Sequence, residues 1–208
     1  MSINILTYSM IRANKAMLNG KTCFEATPDK ETNFLSAFYR SLGINYAKFF
    51  KMDNLSKAGL LASELLLQDC PDREKSKEDM AIVLWNSTSS LDTDCRYQKT
   101  IEAGENYFPS PSEFVYTLPN IVTGEIAIRN KIVGETAFYI SEKFDAEALF
   151  RSVSALFAQS DATRVLCGWA DCFQTDCDVV MFLLEKDRGE YPEFTVEFIT
   201  KIYNHKLN

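Results

Sequence analysis

Short apolar runs alternate with amphipathic helical segments along most of this chain, and that order limits the possible folds more than any other feature of the sequence. Runs typical of strands are INILTYS, MAIVLWNS, TAFYIS, RVLCGWA and VVMFLLEK, with a last strand expected from the alternation of Phe194, Val196 and Phe198. Segments typical of helices are residues 31–42, 52–69 and 145–159, the second with Asp53 or Asn54 as its N-cap. This alternation predicts an α/β domain in layers, with a mixed, mainly parallel sheet flanked by helices.

Four other segments are less regular. Residues 70–80 are charged and rich in turn formers, which predicts a loop. Residues 90–104 favour a helix or half-helix, whereas the prolines of residues 105–120 predict a structured loop. The apolar spacing of residues 121–132 fits a helix or a strand equally well.

Size and charge narrow the class of protein. A chain of 208 residues that is 46% hydrophobic and 25% charged predicts one folded domain over residues 1–208. A net charge of −7 argues against nucleic acid and anionic membranes as partners, because both need a concentrated basic surface. The longest apolar runs are too short to span a bilayer, and the N-terminus lacks the pattern of an export signal. We therefore expect a cytoplasmic protein.

The cysteines and the single histidine offer little chemistry. Six cysteines in a chain without an export pattern predict reduced thiols, and the spacing Cys167-x4-Cys172-x4-Cys177 is not that of a zinc site. Asp171, Asp176 and Glu185 are expected as exposed carboxylates at strand ends rather than metal ligands. His205, near the C-terminus, is the only imidazole. The glycine motifs that cradle nucleotide phosphates do not occur, so we expect neither a cofactor nor a metal.

A series of short motifs in a fixed order resembles a known family. Leu118-Pro119-Asn120 is followed by Gly124-Glu125-Ile126-Ala127-Ile128 and by Gly134, and LFAQSDATRVLCGWAD closes the long helix and enters the next strand. The earlier segment FFKMDNLSKAGLLASELLL fits the same order. Over about residues 44–185 these motifs resemble the N-terminal half of β-ketoacyl synthases, whose fold is that of thiolases. The resemblance implies a thiolase-like layered half-domain.

The same resemblance implies a sharp elbow between a strand and the helix at residues 145–159. Counted without a gap from Gly134, the position of the catalytic cysteine in these enzymes is Lys143. The N-terminus of a helix stabilises a thiolate, but its positive end meets a lysine with the wrong sign. Glu142 and Asp145 offset that cost and favour the charged ammonium, which disfavours Schiff-base chemistry. The elbow is therefore expected to be degenerate, with no catalytic residue.

The resemblance further implies a role in a pair of subunits. The family's catalytic histidines belong to its C-terminal half, and nothing here resembles them. Chain-length-factor subunits lack the nucleophile and pair with an active β-ketoacyl synthase, and the sequence looks most like short versions from aryl-polyene and flexirubin pathways. A heterodimer with that synthase, a homodimer when alone and only indirect contact with acyl carrier protein are the partners implied. Candidate ligand or tunnel residues are Asn120, Glu142, Lys143, Phe144, Phe108 and Tyr116, joined by Tyr107 and Phe114.

Other interpretations stay open. The aromatic residues of that set also fit a local core. The chain could instead be a stand-alone acyltransferase or malonyl decarboxylase that uses Lys143, or a module that binds acyl thioesters or carrier proteins. Because acyl carrier proteins are strongly acidic, a net charge of −7 disfavours the binding module.

Overall fold

A computed structural model of the protein describes residues 2–26, 33–102 and 108–205. Within these ranges the strands are β1 (Ile3–Arg12), β2 (Lys15–Leu18), β3 (Lys21–Glu25), β4 (Met80–Asn86), β5 (Thr136–Ile140), β6 (Arg164–Phe173) and β7 (Asp176–Lys186). The helices are α1 (Phe34–Ser41), α2 (Asn54–Leu67), α3 (Leu91–Ile101), α4 (Pro111–Val115), α5 (Ile121–Asn130), α6 (Ala146–Gln159) and α7 (Val196–Tyr203), with a 3-10 helix at Ala47–Lys51. The described strands form one seven-stranded sheet in the order β3-β2-β1-β7-β6-β4-β5.

Strand direction in this sheet is mixed, as predicted, but it is not mainly parallel. Only β4–β5 and β4–β6 are parallel among the described strands, and the other four pairings are antiparallel. Two tight turns with positive φ, at Ala13–Asn14 and Asn19–Gly20, produce the hairpins of β1, β2 and β3. The pattern analysis missed β2 and β3, because strands of four and five residues are too short to display a clear period.

Helices cover both faces of the sheet, and the central strands are buried on both sides. In β4, Leu84 belongs to the core beneath α2 and α5, whereas its neighbour Val83 belongs to the core beneath α6 and α7. A strand covered on both faces reads as a continuous apolar run, which is why MAIVLWNS is a clear signal. The layered α/β prediction is therefore confirmed.

The N-terminus of α2 is anchored as predicted. Asp53 is its N-cap, and its carboxylate accepts a hydrogen bond from the backbone N–H of Ser56 at 2.9 Å. A second carboxylate oxygen accepts a bond from the hydroxyl of Thr93 in α3 at 3.0 Å, so the cap also ties two helices together.

Two predictions between residues 105 and 203 are wrong. Residues 194–198 are not a strand: Thr195 is the N-cap of α7, and the helix continues through buried Ile199 and Ile202. The three alternating residues Phe194, Val196 and Phe198 are too few to distinguish a strand from a helix. The apolar residues that follow them continue the spacing of a helix. The predicted loop contains α4, because Pro111 lies in the first turn of a helix, where its missing N–H costs nothing. Residues 121–130, left ambiguous by periodicity, are helical.

The prediction of reduced thiols is wrong for one pair. Cys172 and Cys177 lie opposite each other in β6 and β7, with Cα atoms 4.2 Å apart, and form a disulfide. The turn between the strands brings them into register, which spacing alone did not reveal. Cys23, Cys70, Cys95 and Cys167 are free. Among the described residues, no group of three or more His, Cys, Asp or Glu side chains could hold a metal ion.

The disulfide gives a first testable prediction. Protein unfolded in guanidinium with iodoacetamide and no reductant should be alkylated at Cys23 and Cys95 but not at Cys172 and Cys177, as read by peptide mass spectrometry. Closing so short a loop is worth roughly 2 kcal/mol, so a reductant should lower the unfolding midpoint. In a Cys177→Ser control Cys172 should become alkylated. Full alkylation of both cysteines in the wild type would disprove the bond.

Among the helices of the described residues, none is both long enough and apolar enough to cross a membrane.

Candidate functional site

The predicted elbow lies at the carboxyl edge of three adjacent parallel strands. Ile140, the last residue of β5, is in register with Asn86 at the end of β4, and Trp85 is in register with Trp169 of β6. All three strands therefore end at the same edge, where open α/β sheets place their ligand sites. The elbow follows β5 directly and leads into α6.

Local hydrogen bonds hold the elbow in a tight bend. The N–H of Ser141 donates to the carbonyl of Asn86 at 2.9 Å, and its hydroxyl donates to the carbonyl of Lys143 at 2.7 Å. Asp145 is the N-cap of α6 and accepts the N–H groups of Glu147 and Ala148 at 2.9 and 3.0 Å. A strand, a bend stapled by its own side chains and a capped helix thus follow one another within six residues, 140–145.

Lys143 is exposed at this bend, as are Glu142 and Asp145. An amine that forms Schiff bases needs desolvation or a cationic neighbour to supply its free form. Lys143 is exposed between two exposed carboxylates, so the fold does not desolvate its side chain. The side chain of Lys143 therefore points to solvent and is not enclosed in the way that an activated lysine nucleophile is.

Phe144 packs inward, against aromatic residues of β6 and α7. Its ring stacks on Tyr203 of α7 with centroids 3.7 Å apart and meets Trp169 edge-on at 5.9 Å. The Tyr203 hydroxyl donates to Asp178 at 2.7 Å, and Arg12 pairs with the same carboxylate. Burial, followed by this bond to Asp178, raises the pKa of Tyr203 to about 12. An aromatic and ionic cluster thus fixes the elbow from beneath.

Truncating Phe144 should loosen this support. Phe144→Ala removes a partly buried ring from two aromatic contacts and should lower the free energy of unfolding by about 2–3 kcal/mol, measured by urea titration. Phe108→Ala is the matched control, because Phe108 is 82% exposed and should change stability by less than about 0.5 kcal/mol. Equal effects of the two changes would show that Phe144 does not anchor the elbow.

Asp171, at the end of β6, holds the loop that follows β4. Its carboxylate accepts the N–H and hydroxyl groups of both Ser87 and Thr88, with the two N–H bonds at 3.3 Å. The carboxylate is half-buried and engaged, so it is not the exposed strand-end group that the sequence predicted. Ser90 continues the loop by donating to the carbonyl of Thr117 at 2.5 Å, which ties it to the segment after α4. These hydrogen bonds join segments that lie far apart in the sequence, so motif analysis did not predict them.

The remaining predicted residues differ in burial. Tyr116 is 7% exposed, and its hydroxyl donates to Glu125 at 2.9 Å, so it belongs to the core. Burial, followed by this bond, raises the pKa of Tyr116 well above its ordinary range. Asn120 is exposed and precedes α5 without a side-chain cap. Phe108 is exposed, whereas Tyr107 lies outside the described residues.

Solved structures of several condensing systems share this architecture. No protein-family profile matches the sequence, and no curated protein matches it. The ishigamide ketosynthase/chain length factor superposes with a TM-score of 0.66 at 17% identity over 93% of this chain. The chain has a ketosynthase-like fold. It spans 64% of that matched structure, slightly less than two thirds.

Two further structures have this ketosynthase-like fold. One is the ketosynthase ApeO in complex with its chain length factor ApeC from Xenorhabdus doucetiae, with a TM-score of 0.56 and 16% identity over 91% of this chain and 81% of the matched one. The other is a beta-ketoacyl synthase from Burkholderia phymatum, with a TM-score of 0.60 and 13% identity over 92% of this chain and 62% of that one. The thiolase-like fold implied by the resemblance is therefore confirmed.

Gly134, one of the motif residues, has a physical role in this ketosynthase-like fold. A Cβ built at this position would lie 2.2 Å from the carbonyl oxygen of Met80, at the start of β4. Only glycine lets the backbone approach so closely as it enters β5. The glycine therefore sets β5 against β4 and fixes where the elbow begins.

Strand β5 has a free edge, which the sequence did not predict. It is the last strand of the described sheet and pairs only with β4. Tyr139 and Ile140 are exposed beside it, and a second group of exposed apolar side chains lies near α4. That group, the α4 apolar group, consists of Phe108, Phe114, Val115 and Leu118. An unpaired strand with apolar neighbours is a template for pairing with another chain.

Proposed function

We propose that this chain is a non-catalytic subunit of the chain-length-factor type, which pairs with an active β-ketoacyl synthase in fatty-acid or polyketide biosynthesis of the aryl-polyene kind. The observation that carries the proposal is the exposed Lys143 at the elbow of a ketosynthase-like fold. Two structures with this fold are described as a ketosynthase/chain length factor and as a ketosynthase in complex with its chain length factor. Low identity makes pairing of this chain a proposal rather than a result of the likeness.

The available side chains support a role without catalysis. Cys167 lies in the centre of β6, and burial raises the pKa of its thiol well above the ordinary value, which keeps it protonated and inert. His205 is the only histidine of the sequence and is exposed after α7. A condensing reaction needs a nucleophile and a proton-transfer group in one site. Neither of these residues belongs to the elbow.

The surface supports pairing with a partner. The free edge of β5 offers backbone hydrogen bonds, and the exposed side chains of Tyr139 and Ile140 offer apolar area next to it. The elbow follows that edge directly, so a partner seated on β5 lies beside Lys143. In this arrangement the chain helps to wall its partner's acyl pocket and contributes shape instead of chemistry.

Co-expression with a ketosynthase encoded in the same operon tests the proposal. A tag on this chain should retain the ketosynthase, and native mass spectrometry should show one copy of each. The isolated chain should be inert toward malonyl and acyl thioesters, and Lys143→Cys should not create condensation activity. Failure to retain the ketosynthase, or turnover by the isolated chain that Lys143→Ala abolishes, would refute the proposal and favour an enzyme that uses Lys143.

Domain organisation and location are part of the same proposal. A single domain over residues 1–208 is supported by a sheet in which β1, from the start of the chain, lies beside β7. A cytoplasmic location is also proposed. Disulfides are rare in that compartment, so the redox state of Cys172 and Cys177 in protein taken rapidly from cells bears on it as well.

A further inference from the structure

A polar cavity of about 240 Å³ lies between the start of α2, the helix α3 and the helix α4. No residue of the elbow Ser141–Asp145 is part of its wall. The wall consists of Phe50, Lys51, Met52, Asp53, Lys57, Thr93, Arg96, Ser112, Glu113 and Tyr116. The space is several times the volume of one water molecule and suits a small polar group.

Two cationic side chains of this wall, Lys57 and Arg96, have donors that are unpaired among the described residues. Lys57 is half-buried, and within the described residues it makes no salt bridge within 4 Å; its Nζ lies 5.9 Å from the ring centre of Phe49. Burial, with repulsion from Arg96, lowers the pKa of Lys57, although Asp53 partly opposes the shift. Such a cost persists in a folded protein only when something offsets it.

The guanidinium of Arg96 has an N–H group without a hydrogen-bond partner among the described residues. Its Nη2 donates to the hydroxyl of Thr93 at 3.1 Å, but its buried Nε has no hydrogen-bond partner among the described residues. The nearest carboxylates, Asp92 and Glu113, lie at 3.8 and 3.9 Å, beyond hydrogen-bond distance. A buried guanidinium N–H without an acceptor is rare in native proteins.

The carboxylates of the wall do not accept hydrogen bonds from the unpaired donors of Lys57 and Arg96 in the described part of the chain. Both oxygens of Asp53 are already engaged, by the N–H of Ser56 and the hydroxyl of Thr93. Burial raises the pKa of Asp53, and its hydrogen bonds to Ser56 and Thr93 oppose that shift. Asp92 lies 3.8 Å from Arg96, so the three carboxylates Asp53, Asp92 and Glu113 balance the charges of Lys51, Lys57 and Arg96. The wall therefore offers an anion N–H donors that lack an acceptor among the described residues, rather than an excess of charge.

We propose that this cavity binds a small oxyanion, a carboxylate or phosphate group, between Lys57 and Arg96. The oxyanion supplies the acceptors that these two side chains lack, in hydrogen bonds assisted by charge on both partners. The hydroxyls of Thr93 and Ser112 lie in the same wall and complete a site of mixed donors. The proposal is independent of the pairing with a ketosynthase, because it rests on other residues.

Titration of the full chain with inorganic phosphate and, separately, with acetate tests this site. Calorimetry at ionic strength held constant with chloride should show saturable binding of at least one of the two. The preferred anion then distinguishes a phosphate ligand from a carboxylate one. Lys57→Met and Arg96→Gln should each weaken binding by about tenfold or more, since each removes a charged hydrogen bond. Lys201→Met, which changes an exposed lysine of α7, should leave the affinity unchanged.

Chemical labelling gives a second readout that does not depend on the variants folding. Acetic anhydride should modify Lys57 in the free protein, and the bound anion should protect it, as measured by peptide mass spectrometry. Exposed Lys201 reports on any general loss of reagent. Absence of saturable binding with both anions, binding that survives both substitutions, or labelling of Lys57 that the anion does not change would each overturn the proposal.

Discussion

Replacing Lys77 with methionine is expected to lower the free energy of unfolding by about 3–5 kcal/mol, which is a large part of the stability of an ordinary domain. Lys77 is only 1% exposed. Its ammonium nitrogen lies 2.9 to 3.0 Å from the backbone carbonyl oxygens of Asp72, Arg73, Lys75 and Asn130, so its three N–H groups are shared among four acceptors. The side chain thus acts like a bound cation that gathers the loop before β4 onto the end of α5. Methionine leaves these acceptors without a donor.

Lys131→Met is the matched control for this change. Lys131 ends α5 beside the same loop, and its Nζ bonds to the carbonyl and carboxylate of Glu74, but the side chain is half exposed. Its loss should cost about 1 kcal/mol or less, because water replaces an exposed partner. Chemical unfolding of both variants measures the difference. Equal and small effects would show that the carbonyls around Lys77 do not depend on its ammonium. Because Lys77 is only 1% exposed, methylation of its amine in native protein should also be slow.

Replacing Ile140 with proline is expected to weaken the proposed heterodimer roughly 30-fold or more without unfolding the chain. The N–H of Ser141 and the carbonyl of Glu135 face β4, so alternate residues, including Ile140, turn their backbone groups to the free edge. Proline removes one outward donor and an isoleucine that is 55% exposed. Titration calorimetry with the purified ketosynthase measures the change.

Tyr139→Pro separates pairing with a partner from pairing within the sheet. The N–H of Tyr139 faces β4, and its ring stacks on Trp85 with centroids 4.6 Å apart. This proline should therefore destabilise the fold itself by about 3 kcal/mol, whereas Ile140→Pro should change stability far less. Unchanged affinity of the Ile140→Pro protein for the ketosynthase would show that the heterodimer does not use this edge.

Much of the fold is predictable from local pattern. The buried strands β4, β6 and β7 read as apolar runs, because both faces of the sheet are covered. The cap at Asp53 and the long helix after Asp145 follow from the preference of carboxylates for exposed N–H groups. These features depend on residues that are close to one another in the sequence, so they can be predicted from the sequence alone.

Local sequence patterns did not predict the direction of the strands or the last helix, α7. The direction of β1 relative to β7 depends on a pairing between distant parts of the chain, since Ile11 faces Val179, 168 positions later in the sequence. The hairpin of β2 and β3 depends on two turns with positive φ, in which glycine occupies only one of the four positions. Phe194 is buried beside a helix rather than in a strand, because packing on Phe182 and Phe150 decides its place.

The candidate site likewise has features that local sequence predicts and features that depend on tertiary contacts. The elbow with Lys143 follows from counting along one segment, and the structure places it in a capped bend after β5. The support of that bend by Tyr203 and Arg12 comes from distant parts of the chain, so no local pattern shows it. Lys77 likewise reads as one more charge in a loop, although the fold buries it. Tertiary contacts, not residue type, assign such roles.

The condensation rate of the co-purified pair, measured with Lys143→Ala beside the wild type, tests most directly whether this chain contributes shape instead of chemistry. Equal rates are expected for the two pairs, with no turnover by the isolated chain. The reason is that the exposed amine of Lys143 occupies the elbow and is not expected to act as a nucleophile. Loss of most of the rate in a Lys143→Ala pair that still assembles would contradict a non-catalytic role.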